Sequence, residues 1–269
     1  MATRHSPTEF VAEAVSTEPA PGPDDCWPLT ARDTEMDDIT AALLRGRSVL
    51  LVGETGVGKS RLLQAALRRA AAQSGNVARV AAVRGTRMSG QHALDSWLAC
   101  PPGGDDPVVL GIDNAHAIDD ESAERLHHLA GFCRISWLIS VRSDAPKALA
   151  IDKLWVERLA ERIEVKPFGE SDAADVVRAR LRGHVEPGTA RRLHQATLGN
   201  GLFLRELVDH ALAEDSLRLV AGVWRWSGPA SMSGRLRDIV RLRLGDLETA
   251  EAELVDMWRW PRRWRRTCR

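Results

Sequence analysis

A chain of 269 residues, 44 % apolar and 28 % charged, has room for one α/β domain of ordinary size and a smaller second module. The formal net charge is +0, but the last thirteen residues, Met257 to Arg269, hold six Arg and no acid, which leaves 31 basic against 37 acidic residues before them, a net of −6. That acidic body excludes a general nucleic-acid binder.

Residues 1–27 contain Pro19-Ala20-Pro21-Gly22-Pro23 and little apolar periodicity, which predicts a disordered leader. From Thr34 to Leu44, the spacing of Met36, Ile39, Leu43 and Leu44 predicts one apolar helical face, ended by Gly46. Strand and helix patterns then alternate. Strand 48–52, helix 59–73, strand Val77 to Val83 and a short helix near 91–98 come first. Strand Val108 to Ile112, helix 121–130, strand Ser136 to Val141, short helices to about 160 and strand Arg162 to Val165 follow. Such alternation calls for an α/β fold with a parallel sheet covered by helices on both faces. After Pro167-Phe168-Gly169 the pattern turns helical, near 171–182, 187–197, 202–214, 233–244 and 248–257. Residues 216–226 interrupt it with a small β-hairpin centred on Ala221-Gly222. The expected organisation is therefore a leader 1–27, a phosphate-loop domain 28–168, a helical lid subdomain 169–256 and a basic Trp/Arg tail 257–269.

The strongest chemical signal is Gly53-Glu54-Thr55-Gly56-Val57-Gly58-Lys59-Ser60, a complete G-x-x-x-x-G-K-[ST] phosphate loop directly after the apolar run Ser48 to Val52. Glycines let consecutive backbone N–H groups turn inward as an anion nest, and the helix beginning near Lys59 adds its positive dipole end. Lys59 is the candidate for the β- and γ-phosphates of ATP or GTP, and the Ser60 hydroxyl for Mg²⁺. The competing reading is a plain glycine-rich turn. The strand, loop and helix setting argues for the nucleotide.

Val108-Val109-Leu110-Gly111-Ile112-Asp113 is an apolar strand ending in a carboxylate, so Asp113 is the candidate partner of the Mg²⁺. The next residue, Asn114, has an amide that can orient a water but cannot take its proton. His116, Asp119 and Asp120 lie nearby and fit helix-capping or surface roles better than that of a base. Slow turnover, or binding without turnover, is the expectation. Strand 135–141 ends in Arg142-Ser143-Asp144, and in a parallel sheet that end shares the carboxyl edge with the phosphate loop. Arg142 could there approach the γ-phosphate or its acidic neighbours, or be an ordinary solvated strand-end Arg.

These pieces together resemble the large ATP-binding LuxR-type transcriptional regulators, whose nucleotide module is similar to the AAA+-like STAND ATPases. Trp27-Pro28-Leu29-Thr30-Ala31-Arg32-Asp33-Thr34-Glu35 is similar to the family's W-P-L-x-G-R-x-x-E segment, which lies against the adenine. The phosphate loop continues in family manner as Lys59-Ser60-Arg61-Leu62-Leu63, which implies a nucleotide contact for Arg61. Asp113 to Asp119 resembles D-D-x-H-x-x-D, and Ser140-Val141-Arg142-Ser143 resembles [ST]-V-R-S. Gly199-Asn200-Gly201-Leu202-Phe203-Leu204-Arg205-Glu206-Leu207-Val208 resembles G-N-P-L-F-L-R-E-L-V. The resemblance runs from about 27 to 256. It departs at Ala31, where the family has Gly, at Gly201, where related switch ATPases have a nucleotide-contacting Pro, and at Asn114, where a second acid is usual.

The resemblance implies a P-loop NTPase with ATP and Mg²⁺ as cofactors, acting as a nucleotide-dependent switch. Self-association or a regulatory protein is the implied partner. DNA is implied only through a helix-turn-helix domain that these residues do not contain, so a chain cut before that domain is expected, with a non-native tail from Met257. A cationic aromatic segment is the other reading of the tail, although Pro261 would break its helix. Two alternatives to the switch stay open: a P-loop kinase of a small molecule, and a non-catalytic relic. Cys26, Cys100, Cys133 and Cys268 are scattered without a metal-ligand pattern, and no apolar run nears the roughly 18 residues of a membrane span. With no signal-peptide pattern either, a cytoplasmic protein with reduced thiols and no membrane partner is expected.

Overall fold

The computed structural model describes residues 27–74, 77–81, 108–118, 120–130 and 135–228. The expected leader up to residue 26, Asp119, the helices near 91–98, 233–244 and 248–257, and the tail 257–269 lie outside the described residues.

Helix α1 (Asp33–Leu44) buries Met36, Ile39 and Ala42. Leu44, expected on that face, is instead 72 % exposed. At 100° per residue it lies well round the helix from Met36, Ile39 and Leu43, and the small Ala42 fills the seam. Strand β1 (Ser48–Gly53) is buried at every position, as a central parallel strand with both faces covered must be. Val49 and Leu51 point into one cluster with Ile39, Leu62, Leu63 and Leu67, while Leu50 and Val52 point into another with Leu126, Trp137, Ile139 and Ile151. The alternation thus builds two cores on one strand.

Helix α2 (Lys59–Ser74) leads to β2 (Val77–Ala81), and β3 (Val108–Asp113) to helix α3 (Asp120–Ala130). Strand β4 (Ile135–Arg142), helix α4 (Leu149–Val156) and β5 (Ala160–Glu164) complete the unit. The short helices expected before 160 form one helix, and β5 starts two residues before Arg162, because Arg158 turns the chain at φ 59°. All five strands run parallel in the order β2-β3-β4-β1-β5. β1 lies between β4 and β5, and the chain leaves it past two strands to reach β2. Its carboxyl end is therefore the point where the winding changes direction, the place where such sheets open a crevice.

Beyond Gly169 come α5 (Glu170–Leu181), β6 (His184–Val185), α6 (Pro187–Thr197), α7 (Gly201–Ala213), β7 (Leu217–Val220) and β8 (Val223–Trp226). The expected hairpin forms, with Ala221 at φ 50° and Gly222 at φ 79°, both left-handed as a two-residue type I′ turn requires. The two-residue β6, without a readable sequence pattern, pairs parallel to β8 and extends the hairpin to a three-stranded sheet. A third core of Val177, Leu193, Leu204, Val208, Leu217 and Trp226 holds these elements together. Trp27, at the end of the expected leader, is 3 % exposed within that same core. Its large apolar ring outweighs the turn-rich composition that precedes it.

Candidate functional site at the phosphate loop

Residues 53–60 link the carboxyl end of β1 to the amino end of α2. Gly56 and Gly58 take φ values of 84° and 103°, which side chains other than hydrogen resist. Lys59 is 7 % exposed, and its Nζ donates to the carbonyls of Gly53 at 2.8 Å and Glu54 at 2.7 Å. The ammonium group is thus folded into the concave side of its own loop. Val57 is fully buried and anchors the loop to the core, while Glu54 is exposed.

Asp113, 4 % exposed, ends β3 beside this loop. Its Oδ1 accepts from Ser60 Oγ at 3.0 Å and from Ser140 Oγ at 2.5 Å. Ser140 in turn accepts from the Asn114 backbone N–H at 2.9 Å, so one hydroxyl on β4 orders both residues after β3. Asn114 itself is exposed and left-handed at φ 60°, opening the 3-10 turn Ala115–Ala117. The adjoining oxygens of Ser60 and Asp113 are the hard donors that Mg²⁺ prefers. Among the described residues no cluster of three or more His, Cys, Asp or Glu could hold a metal. A cation here would share its coordination with phosphate oxygens and water, as Mg²⁺ ordinarily does. The residues present therefore fit a magnesium nucleotide.

Arg142 lies opposite Gly53 in the β1–β4 register, and Ser143 N–H donates to the Gly53 carbonyl at 3.0 Å. The Arg142 guanidinium is engaged by Asp144, through Nε at 3.1 Å and Nη2 at 2.8 Å. That forked hydrogen bond raises the Arg142 pKa and lowers that of Asp144, and the charge of Lys59 adds a smaller lowering effect on Asp144. At this strand end Arg142 is therefore held by the carboxylate two residues on.

The helical unit touches the loop directly. Leu202 N–H at the start of α7 donates to the Gly56 carbonyl at 2.9 Å, and Asn200 Nδ2 donates to the Thr55 carbonyl at 2.8 Å. Asn200 Oδ1 meanwhile caps α7, accepting from Leu202 and Phe203 N–H at 3.1 and 3.3 Å. Gly201 sits beside them, where a Cβ would stand 3.1 Å from the Phe168 ring and 3.4 Å from the Gly56 carbonyl.

From the other side Arg32, 6 % exposed, grips the loop. Its Nη2 donates to the carbonyls of Val57 at 3.0 Å and Lys166 at 2.7 Å, its Nη1 pairs with Glu35 at 2.7 Å, and its guanidinium lies 4.2 Å from the Phe168 ring centre. Ala31 before it has φ 58°, a left-handed conformation that explains why glycine suits this position. Arg61, implied as a nucleotide contact, donates to the Trp27 carbonyl. The Trp27 indole donates to Asp209 of α7 at 3.1 Å.

The fold thus brings Gly53 through Ser60, Asp113 and Arg142 to one edge, and adds four contributors that were not among the candidate site residues: Ser140, Asp144, Arg32 and Asn200. Asp144 had a local signal, two residues after an arginine. The other three act through contacts 25 or more residues away in sequence.

Comparison with known proteins agrees with this geometry. Residues 28–101, about a quarter of the chain, match the family model described as an AAA ATPase domain. The small ribosomal subunit biogenesis GTPase RsgA of Streptomyces coelicolor is 34 % identical over 115 residues, 40 % of this chain. The match spans only 30 % of that relative's length. Among solved structures, Aeropyrum pernix ORC1 in complex with DNA aligns at TM-score 0.54 and 15 % identity, over 82 % of this chain and 68 % of that one. A mutant Thermotoga maritima RuvB aligns at 0.51 and 15 %, over 71 % and 68 %. Saccharomyces cerevisiae Hsp104 in its casein complex aligns at 0.52 and 16 %, over 70 % and 38 %. The chain has the α/β P-loop NTPase fold, and residues 28–101 carry its AAA ATPase-like stretch. No helix among the described residues is long and apolar enough to cross a membrane.

Proposed function

We propose that this chain is the ATP-binding switch module of a LuxR-like transcriptional regulator, in which nucleotide on the loop 53–60 sets how helix α7 docks. The observation that carries the reading is the pair of hydrogen bonds from Asn200 and Leu202 to the carbonyls of Thr55 and Gly56. Any rearrangement of those two peptides on phosphate binding changes the acceptors on which the helical unit rests. Binding energy shifts that docking only as far as the nucleotide's affinity differs between the two arrangements.

In this reading the backbone of Gly53 to Ser60 holds the phosphates, and Lys59 exchanges two carbonyl oxygens for the β- and γ-phosphates. Ser60 and Asp113 hold Mg²⁺, which supplies charge neutralisation at the phosphates when bound. Asn114 orients a water without accepting its proton, so turnover is slow or absent. Cytoplasmic residence supplies the ATP. Partners are a regulatory protein or a second copy, with DNA reached through a helix-turn-helix domain outside these residues.

Titration calorimetry of Mg²⁺ with ATP into the wild type and Lys59→Ala tests the reading. A tenfold or greater loss in the variant, about 1.4 kcal/mol, is expected. The partial similarity to a protein named as a GTPase supports GTP as a second ligand, so the same titration with GTP decides the base. A wild type that binds neither nucleotide removes the proposal.

A further inference from the structure

The carboxyl edge of β4 carries an ion pair that the nucleotide reading leaves unused. Asp144 takes both Nε and Nη2 of Arg142, and the turn holding them is fastened to the phosphate loop by the Ser143 N–H bond to the Gly53 carbonyl. The Arg142 side chain is 21 % exposed and that of Asp144 44 % exposed, so the pair sits at the rim, where an incoming anion can reach it. Like a terminal phosphate, a carboxylate offers a guanidinium two negatively charged oxygens spaced to accept two parallel hydrogen bonds. The carboxylate also lies in the field of Lys59, whose charge helps lower its pKa. One anionic side chain is therefore tied to Arg142 and electrostatically favoured by Lys59.

We propose that Asp144 is a positioning residue that stands in for the γ-phosphate, holding Arg142 until a triphosphate competes for it. The inference rests on the reading of residues 53–60 as a nucleotide site and adds a rule for telling ATP from ADP. With ADP the Arg142–Asp144 pair stays closed, because no terminal phosphate reaches the rim. With ATP the γ-phosphate offers a more highly charged acceptor, Arg142 changes partner, and Asp144 turns to solvent. The cost of opening the pair is charged to ATP alone, so Asp144 moderates the preference for triphosphate and keeps the exchange reversible.

The test is a set of Mg²⁺-ATP and Mg²⁺-ADP affinities for the wild type, Asp144→Asn, Asp144→Glu, Arg142→Gln and the double variant Arg142→Gln/Asp144→Asn, each checked for folding by circular dichroism. Asp144→Asn should raise the ATP-to-ADP affinity ratio about fivefold or more, Asp144→Glu should restore it towards the wild type, and the double variant should keep the ratio of Arg142→Gln. Equal shifts for both nucleotides, or a raised ratio that persists without Arg142, would overturn the inference while leaving nucleotide binding intact. A wild type that binds neither nucleotide overturns the inference and the reading beneath it together.

Discussion

A methyl group on Gly56 would stand 2.4 Å from Asn200 Oδ1, closer than any side-chain carbon is tolerated. The phosphate loop and the first turn of α7 are fitted to each other at this point, and the absence of a side chain on Gly56 is what lets them meet.

Gly56→Ala therefore carries two penalties. The left-handed φ of 84° costs a non-glycine residue roughly 1–2 kcal/mol, and the contact pushes Asn200 from the Thr55 carbonyl. The expected result is a lower melting temperature together with faster amide exchange at Leu202 and Phe203. An unchanged exchange rate at those two amides would show that the docking does not depend on the close approach.

Asn200→Asp separates capping from docking. A carboxylate still accepts from Leu202 and Phe203 N–H, so the cap on α7 is kept, but it has no donor for the Thr55 carbonyl. Asn200→Ala loses both and should cost about 1 kcal/mol more than the loss of docking alone. Protease susceptibility of the 199–203 segment should rise in both variants, whereas α7 itself should stay helical in Asn200→Asp. Equal protection of that segment in wild type and Asn200→Asp would exclude a docking role for the amide nitrogen.

Ala31→Gly should stabilise the protein. Ala31 sits at φ 58°, and relieving that conformation outweighs the extra freedom glycine brings to the unfolded chain, for a net gain of about 0.5–1 kcal/mol. A rise of roughly 1–4 °C in thermal unfolding is the expected readout. A fall would mean that the Ala31 methyl packing against the helical core contributes more than the backbone strain.

The Arg142–Asp144 pair gives a pH signature. Asp144 has a lowered native pKa, chiefly from the Arg142 hydrogen bond, so its contribution is present above the unfolded value near ~3.9 and is lost as pH falls through the native value. For a pair this exposed the contribution at neutral pH is below about 1 kcal/mol. Urea unfolding of wild type and Asp144→Asn should differ slightly at pH 7 and converge on acidification below about 4. A gap that widens with acidification would contradict the assignment.

Contiguous chemistry was legible in the sequence, and chemistry assembled across the sheet was not. Gly53 to Ser60 carry their own geometry, because the glycines, the lysine and the following helix are one local unit, and Asp113 announces itself as a charge at the end of an apolar strand. The alternation of β1 to β5 and the Ala221-Gly222 hairpin were equally readable from period and turn residues. Ser140 looks like any small residue inside a buried strand until β4 is laid beside β3, and nothing in the segment that holds Arg32 shows its reach to the carbonyls of Val57 and Lys166. Asn200 stands in a motif quoted only for its resemblance, and its bond to the Thr55 carbonyl joins residues 145 positions apart. Strand β6 is too short for any period, and Leu44, placed on the buried face by the apolar spacing, lies at an angle round the helix that exposes it.

Trp27 gives the molecule a built-in optical gauge. Its ring is shielded among the residues of the helical core, its indole proton is held by Asp209, and its carbonyl is grasped by Arg61 from the helix that follows the phosphate loop. The chain has no Tyr, so near-ultraviolet absorption and emission come almost wholly from tryptophan. A difference spectrum against Trp27→Phe isolates this one fluorophore, and its colour then reports, without any added dye, whether the ring stays shielded between Asp209 and the helical core.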